Sequence, residues 1–164
     1  MKRFTLLLVA LLLVRVTAVP AQKVHNNFDP SADFSKYKTY KWVDIQEADT
    51  THQSIEKQII EALDAELTKK GLTMSGSDAA DLSVAYKATF NKKGVVSHDN
   101  ASGDPSTTYL NKVTVEMHDS AHKAPVWSGT VSTFNHEKLT PDQRQKEITK
   151  AIEKLLKDYP PQKK

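Results

Sequence analysis

The sequence predicts an α+β fold, a two-layer sandwich in which an antiparallel sheet carries two amphipathic helices packed on one face. Three observations predict it. Segments 50–72 and 140–161 repeat apolar residues at helical spacing. Segments 81–90, 109–117 and 125–134 instead alternate apolar and polar residues, so each strand has a single greasy side. One dry sheet face is the mark of antiparallel pairing, and two amphipathic helices supply the apolar surface that such a face must meet.

The chain opens with "MKRFTLLLVALLLVRVTAVPAQ", which has the three parts of an export signal. Lys2 and Arg3 form a basic start, Phe4 to Val14 an apolar run, and small residues precede Gln22. Residues 1–21 are therefore expected to be removed near Ala21, leaving residues 22–164 as one domain in the periplasm or secreted. An uncleaved membrane anchor is the rival reading, but a span needs roughly 20 apolar residues, and Arg15 interrupts the run. No transmembrane span is expected in the mature chain.

Loss of residues 1–21 removes Lys2, Arg3 and Arg15 and no acid, so the formal net charge of +3 falls to zero. A balanced chain offers no overall basic character to neutralise phosphates, and no nucleic-acid partner is expected. Cysteine is absent. Without disulfides a hydrophobic core must hold an exported fold alone, and a domain of this length buries about two thirds of its unfolded surface. A cysteine nucleophile, a thiolate metal site and a lipidated cysteine are excluded as well.

After the signal, "FDPSADFSKYKTYKW" places five aromatic residues between Phe28 and Trp42. Asp29, Pro30 and Ser31 supply turn chemistry, while Tyr40 and Trp42 alternate with Thr39, Lys41 and Val43 as in a half-buried strand. Ile55, Ile59, Leu63 and Leu67 then recur every four residues, with Thr50 and Gln53 placed for a capping box. Gly71 ends that helix, because glycine takes the left-handed conformation without steric cost, and Leu72 can fold back on it.

In the first alternating strand Leu82, Val84, Tyr86, Ala88 and Phe90 share a face, opposite Ser83, Ala85, Lys87 and Thr89. Tyr109, Val113, Val115 and Met117 oppose Lys112, Thr114 and Glu116 in the second, and Trp127, Gly129 and Val131 oppose Ser128, Thr130 and Ser132 in the third. Residues 91–108 between the first two exceed a tight hairpin turn. The last helix starts at Thr140 as cap with Pro141 at its first position. Ile148, Ile152, Leu155 or Leu156, and Tyr159 make its stripe before Pro160 and Pro161.

Reaction chemistry is sparse. His118 and His122 have the four-residue spacing of paired helical metal ligands, with Asp119 beside them, but they flank a turn between strands where that spacing loses its meaning. His25, His52, His98 and His136 are scattered and read as surface residues. Ser128 in "WSGT" lacks the preceding glycine of a nucleophile elbow, and "HEKLT" has Thr140 where a zinc-protease helix needs its second histidine. With no glycine-rich phosphate loop either, no cofactor and no catalytic residue is expected.

Taken in order, "ADFSKYKTYKW", "KKGL" leading to "ADLSV", "VTVEMHDSAHKAPVWSG" and a helix closing on "YPP" resemble the bacterial cell-envelope family catalogued as domain of unknown function 4136. The resemblance runs from about Val24 to Pro161. It implies an exported α+β domain, often tethered as a lipoprotein, with no established activity. The missing cysteine departs from the tethered form and favours a soluble state.

These readings lead to a non-enzymatic envelope protein that binds another protein or an envelope component. Its expected contact surfaces are the polar sheet face with Lys87, Thr89, Thr114, Thr130 and Ser132, an open edge strand, and the loop carrying His98, Asp99 and Asp104. Two alternatives are a metal-dependent or other hydrolase using His118, Asp119 and His122, and a carrier of a small apolar ligand held between helices and sheet.

Overall fold

The computed structural model describes residues 22–43, 52–92, 108–132 and 139–162. Its elements are β1 (Lys23–Phe28), a short 3-10 turn (Phe34–Lys36), β2 (Thr39–Trp42), α1 (Gln53–Lys69), β3 (Thr73–Met74), β4 (Leu82–Lys92), β5 (Thr108–Asp119), β6 (Ala124–Ser132) and α2 (Pro141–Leu155). The expected signal segment, the Thr50 cap, His136, and the loop residues His98, Asp99 and Asp104 lie outside the described residues.

One six-stranded sheet runs in the order β1-β6-β5-β4-β2-β3. It is mixed, which corrects the antiparallel expectation: β1, β6, β5 and β4 pair antiparallel, but β2 pairs parallel with both β3 and β4. The cause is the 17-residue α1 between β2 and the strands that follow. A crossover of that length returns the chain to the end where β2 began, so the next strands run the same way. Alternation of side chains shows which face is dry but carries no sign of strand direction.

The two helices are bounded by local chemistry. Gly71 sits at φ 87°, the N–H of Leu72 reaches the Leu67 carbonyl at 3.0 Å, and the N–H of Gly71 reaches that of Thr68 at 2.9 Å. This double closure satisfies carbonyls that the end of α1 would otherwise leave open, and it folds Leu72 into the core. At the other end His52 is the cap residue and makes no side-chain cap bond. For α2, Thr140 Oγ1 accepts from the N–H of Gln143 at 3.3 Å while Gln143 Oε1 accepts from the N–H of Thr140 at 2.9 Å, a reciprocal capping box. The helix ends at Leu155, before the proline pair expected to stop it, and a turn carries Tyr159 back into the core.

A single hydrophobic cluster holds Ile59, Leu63 and Leu67 of α1, Ile152 and Leu155 of α2, and the inward side chains of β2, β4, β5 and β6. Each fully buried aliphatic side chain contributes about 1.5–3 kcal/mol. The aromatic segment after β1 joins this core edge. Phe34 meets Phe28, Tyr37 and Tyr159 edge-on, and Tyr159 meets Trp127 at 5.7 Å between ring centres. Thus Phe34 and Tyr159 bring the start of the described chain against its end, a structural use for aromatic residues that needs no ligand.

Gly129 lies where the last turn of α2 packs closely on the sheet. A Cβ there would meet the Trp127 indole, Asn26 Oδ1 at 2.8 Å and Leu155 Cδ1 at 2.8 Å. Asn26, pointing to the same side, donates from Nδ2 to the Leu155 carbonyl at 3.2 Å and so binds β1 to the last turn of α2. Among the described residues no helix is long and apolar enough to cross a membrane.

Candidate functional site

Two surfaces collect polar side chains. The first is a cavity of about 630 Å³ where the turn after β1, the segment before β4 and the β5–β6 turn meet. Asp29, Asp33, Asp78, Asp81 and Asp119 line it, with Lys36, Tyr37 and His122. Its lining is thus acidic, unlike the apolar space between helices and sheet that a lipophilic ligand carrier would require.

Most of these carboxylates already build backbone. Asp81 Oδ2 accepts from the N–H groups of Lys38 and Thr39, both at 2.8 Å, and from Thr39 Oγ1 at 2.9 Å. Asp29 Oδ1 accepts from the N–H and hydroxyl of Ser31, and Asp33 Oδ1 does the same for Ser35. Asp119 Oδ1 takes the N–H of His122 at 2.8 Å, closing the β5–β6 turn, while its Oδ2 accepts from the Tyr37 hydroxyl at 3.1 Å. In that turn Lys123 adopts a left-handed φ of 52°.

Hydrogen bonds to the charged form hold these acids ionised. The Ser31 hydroxyl pulls Asp29 below its ordinary value, the Lys38 N–H does so for Asp81, and the His122 N–H for Asp119. Burial, with the Asp119 carboxylate next, pushes Tyr37 up to about 12. These three acids thus have the electrostatics of braced turns.

The residues singled out as a metal or hydrolase set divide between partners. His122 Nδ1 lies 3.0 Å from Asp119 Oδ1, whereas His118 sits on β5 opposite Ser83 with Nε2 3.7 Å from Glu116 Oε2. Among the described residues no group of three or more His, Cys, Asp or Glu side chains is placed to hold a metal ion. His52 corrects the surface reading: it is half-buried and stacks on Phe90 with ring centres 3.9 Å apart. His25 is exposed on β1.

The second surface is the polar side of the sheet. Register places Lys23, Ser132, Lys112 and Thr89 in one row across β1, β6, β5 and β4, and His25, Thr130, Thr114 and Lys87 in the next. Asn27, Ser128, Glu116 and Ala85 form a third. Thr114 and Thr130 hydroxyls are in contact at 3.1 Å. The contact residues expected from the sequence, Lys87, Thr89, Thr114, Thr130 and Ser132, all fall in the first two rows.

Lys23, His25 and Lys112 complete these rows and were not singled out as contact residues. For Lys23 and His25 the signal was present in "KVHNNF", where Lys23, His25 and Asn27 alternate with Val24, Asn26 and Phe28. What local pattern does not reveal is that this strand pairs with β6, about a hundred residues further along the chain.

A family model, Domain of unknown function (DUF4136), matches residues 24–161. No curated protein sequence matches the chain. Among solved structures, a PDZ domain protein from Parabacteroides distasonis ATCC 8503 is similar with a TM-score of 0.59 and 17% identity, over 87% of this chain and 37% of that one. The chain therefore spans 37% of that protein's length. A PelC dodecamer from Paraburkholderia phytofirmans is similar with a TM-score of 0.52 and 15% identity, over 83% of this chain and 95% of that one. At such identities the likeness is one of fold.

Proposed function

Because the chain belongs to the family Domain of unknown function (DUF4136), we propose that it is a non-enzymatic binding module of the cell envelope that uses its open sheet face as the contact surface. In this reading both helices lie on one side of the sheet, in two layers, and the other side is left for a partner. Support comes from the single cluster that both helices share with the inward side chains of β4, β5 and β6. Export after cleavage near Ala21, to the periplasm or beyond the cell, belongs to the same reading.

One contrast carries the proposal. Four of the five cavity carboxylates, Asp29, Asp33, Asp81 and Asp119, are engaged by backbone N–H groups, whereas the sheet face presents exposed Lys87 and Lys112 beside half-buried hydroxyls. The test is affinity capture from envelope extract with the wild-type protein and a Thr114→Glu, Thr130→Glu variant as paired baits. Binding through this face predicts components held by the first and absent from the second. Identical recoveries, or none from either bait, would count against it.

A further inference from the structure

We propose that the ligand of the open face is a carboxylated polysaccharide lying across β1, β6, β5 and β4, held by Lys23, Lys112 and Lys87. The proposal rests on the reading of that face as the contact surface and adds the chemistry of what it takes.

The first argument is charge. Lys23, Lys87 and Lys112 are exposed, and none makes an ion pair among the described residues. Some lysines elsewhere do find acids: Lys41 reaches Asp78 at 2.8 Å, and Lys69 bridges Glu66 at 3.0 Å and Glu153 at 3.2 Å. Neighbouring strands are about 4.8 Å apart and same-face residues on one strand about 6.8 Å apart. Lys23 and Lys112, two strands apart, are therefore separated by roughly 10 Å at the backbone, and Lys112 and Lys87 by roughly 8 Å. Those separations are about one Debye length at physiological salt, so the fields of the three lysines overlap. His25 stands in the same two rows, and no carboxylate does.

The second argument is the company these lysines keep. Between them stand hydroxyls, including the Thr114–Thr130 pair. A hydroxyl both donates and accepts, and a lysine only donates. Sugar hydroxyls need both roles, and carboxylates need donors. Protein hot spots favour Tyr, Trp and Arg, none of which occurs in these rows, and lysine and serine are depleted at protein interfaces. A membrane surface would be met by basic residues mixed with apolar side chains able to enter the acyl boundary. The exposed large hydrophobics of the described chain are Phe28 and Met74, and neither stands in these rows.

The experiment measures binding of the purified protein to polygalacturonate, to neutral dextran and to vesicles of phosphatidylglycerol with phosphatidylcholine. Wild-type protein is compared with Lys87→Gln, Lys112→Gln and with a control, Lys57→Gln, at an exposed lysine of α1. Polygalacturonate is expected to bind and dextran not. Its affinity should fall on the order of tenfold as salt rises from about 50 to about 200 mM, and about tenfold again in the double variant. The control should match wild type. Equal binding of dextran, or a double variant that holds polygalacturonate as wild type does, overturns the proposal. Vesicle binding that the double variant loses, without any polygalacturonate binding, overturns the polysaccharide while leaving the face as the contact surface. Binding of any probe that is indifferent to the double variant overturns both.

Discussion

The hydroxyl of Tyr40 donates to Oδ1 of Asp64 at 2.6 Å, tying β2 to the middle of α1. Trp42 Nε1 donates to the same oxygen at 3.0 Å, so one carboxylate serves two aromatic residues of one strand. Burial, and then the bond to Asp64, holds the Tyr40 phenol well above the ordinary tyrosine value. Replacing Asp64 by Ala leaves a fully buried hydroxyl without its acceptor. The expected cost is about 2–3 kcal/mol, read as a lower urea midpoint. Combined with Tyr40→Phe in a double-mutant cycle, the pair should show coupling above about 0.5 kcal/mol. Additive single effects would show that the contact contributes nothing.

Tyr86 is in the opposite condition. Its hydroxyl is buried and has no hydrogen-bond partner among the described residues, and burial, followed by the charge of Glu56, pushes it up to about 12. A buried donor left unsatisfied carries its full desolvation cost, so Tyr86→Phe should raise stability by about 1 kcal/mol. Chemical denaturation of the two proteins decides it, and a loss of stability would contradict the assignment.

Gly129 should tolerate no side chain. The Trp127 indole, Asn26 Oδ1 and Leu155 Cδ1 stand where a methyl group would go. Displacing the ring and the last turn of α2 places Gly129→Ala at about 1–3 kcal/mol of lost stability. Ser128→Ala, one residue earlier and facing the other side, should stay within about 0.5 kcal/mol. Equal effects at both positions would mean that α2 does not approach the sheet there.

The Asp81 carboxylate gives the fold an acid-sensitive joint. Its three bonds, led by the Lys38 N–H, lower it from the ordinary 3.8. A folded value below the unfolded one means that this contribution is complete above about 3.8 and is lost as pH falls through the folded value. Asp81→Asn should therefore lower the urea midpoint near pH 7 and flatten its decline toward about pH 2. Parallel curves for the two proteins would remove Asp81 as a source of acid sensitivity.

Tyr37 acts at the alkaline end, with the opposite sign. It is raised from 10.0 to about 12, so its contribution is complete below about 10 and fades as pH climbs toward 12. Tyr37→Phe should remove that part of the alkaline decline, and a decline identical to wild type would place its origin elsewhere.

Much of this molecule was legible in local pattern. The recurrence of Ile55, Ile59, Leu63 and Leu67, the stop at Gly71 and the cap at Thr140 are short-range matters, because helix bonds and caps join residues at most a few positions apart. Strand alternation likewise separated Val113, Val115 and Met117 from Lys112, Thr114 and Glu116, since neighbouring side chains in a strand point to opposite faces. That is why Lys87, Thr89, Thr114, Thr130 and Ser132 could be assigned to the polar side of the sheet before their strands were placed.

Relations across long stretches of chain were decided only by the tertiary structure. Nothing in "KVHNNF" says that it lies beside β6, nor in "TYKW" that α1 will turn the sheet mixed by returning β3 and β4 parallel to it. The joining of Lys23 and His25 to Lys112 and Lys87 depends on pairing register, and the division of His118 from His122 on where β5 ends and its turn begins. Sequence determines which side chains are oily, which are charged, and how each short segment turns. Position across the sheet comes from loop closure, register and packing together, and these have no local signature because their energies belong to pairs of residues far apart in the chain.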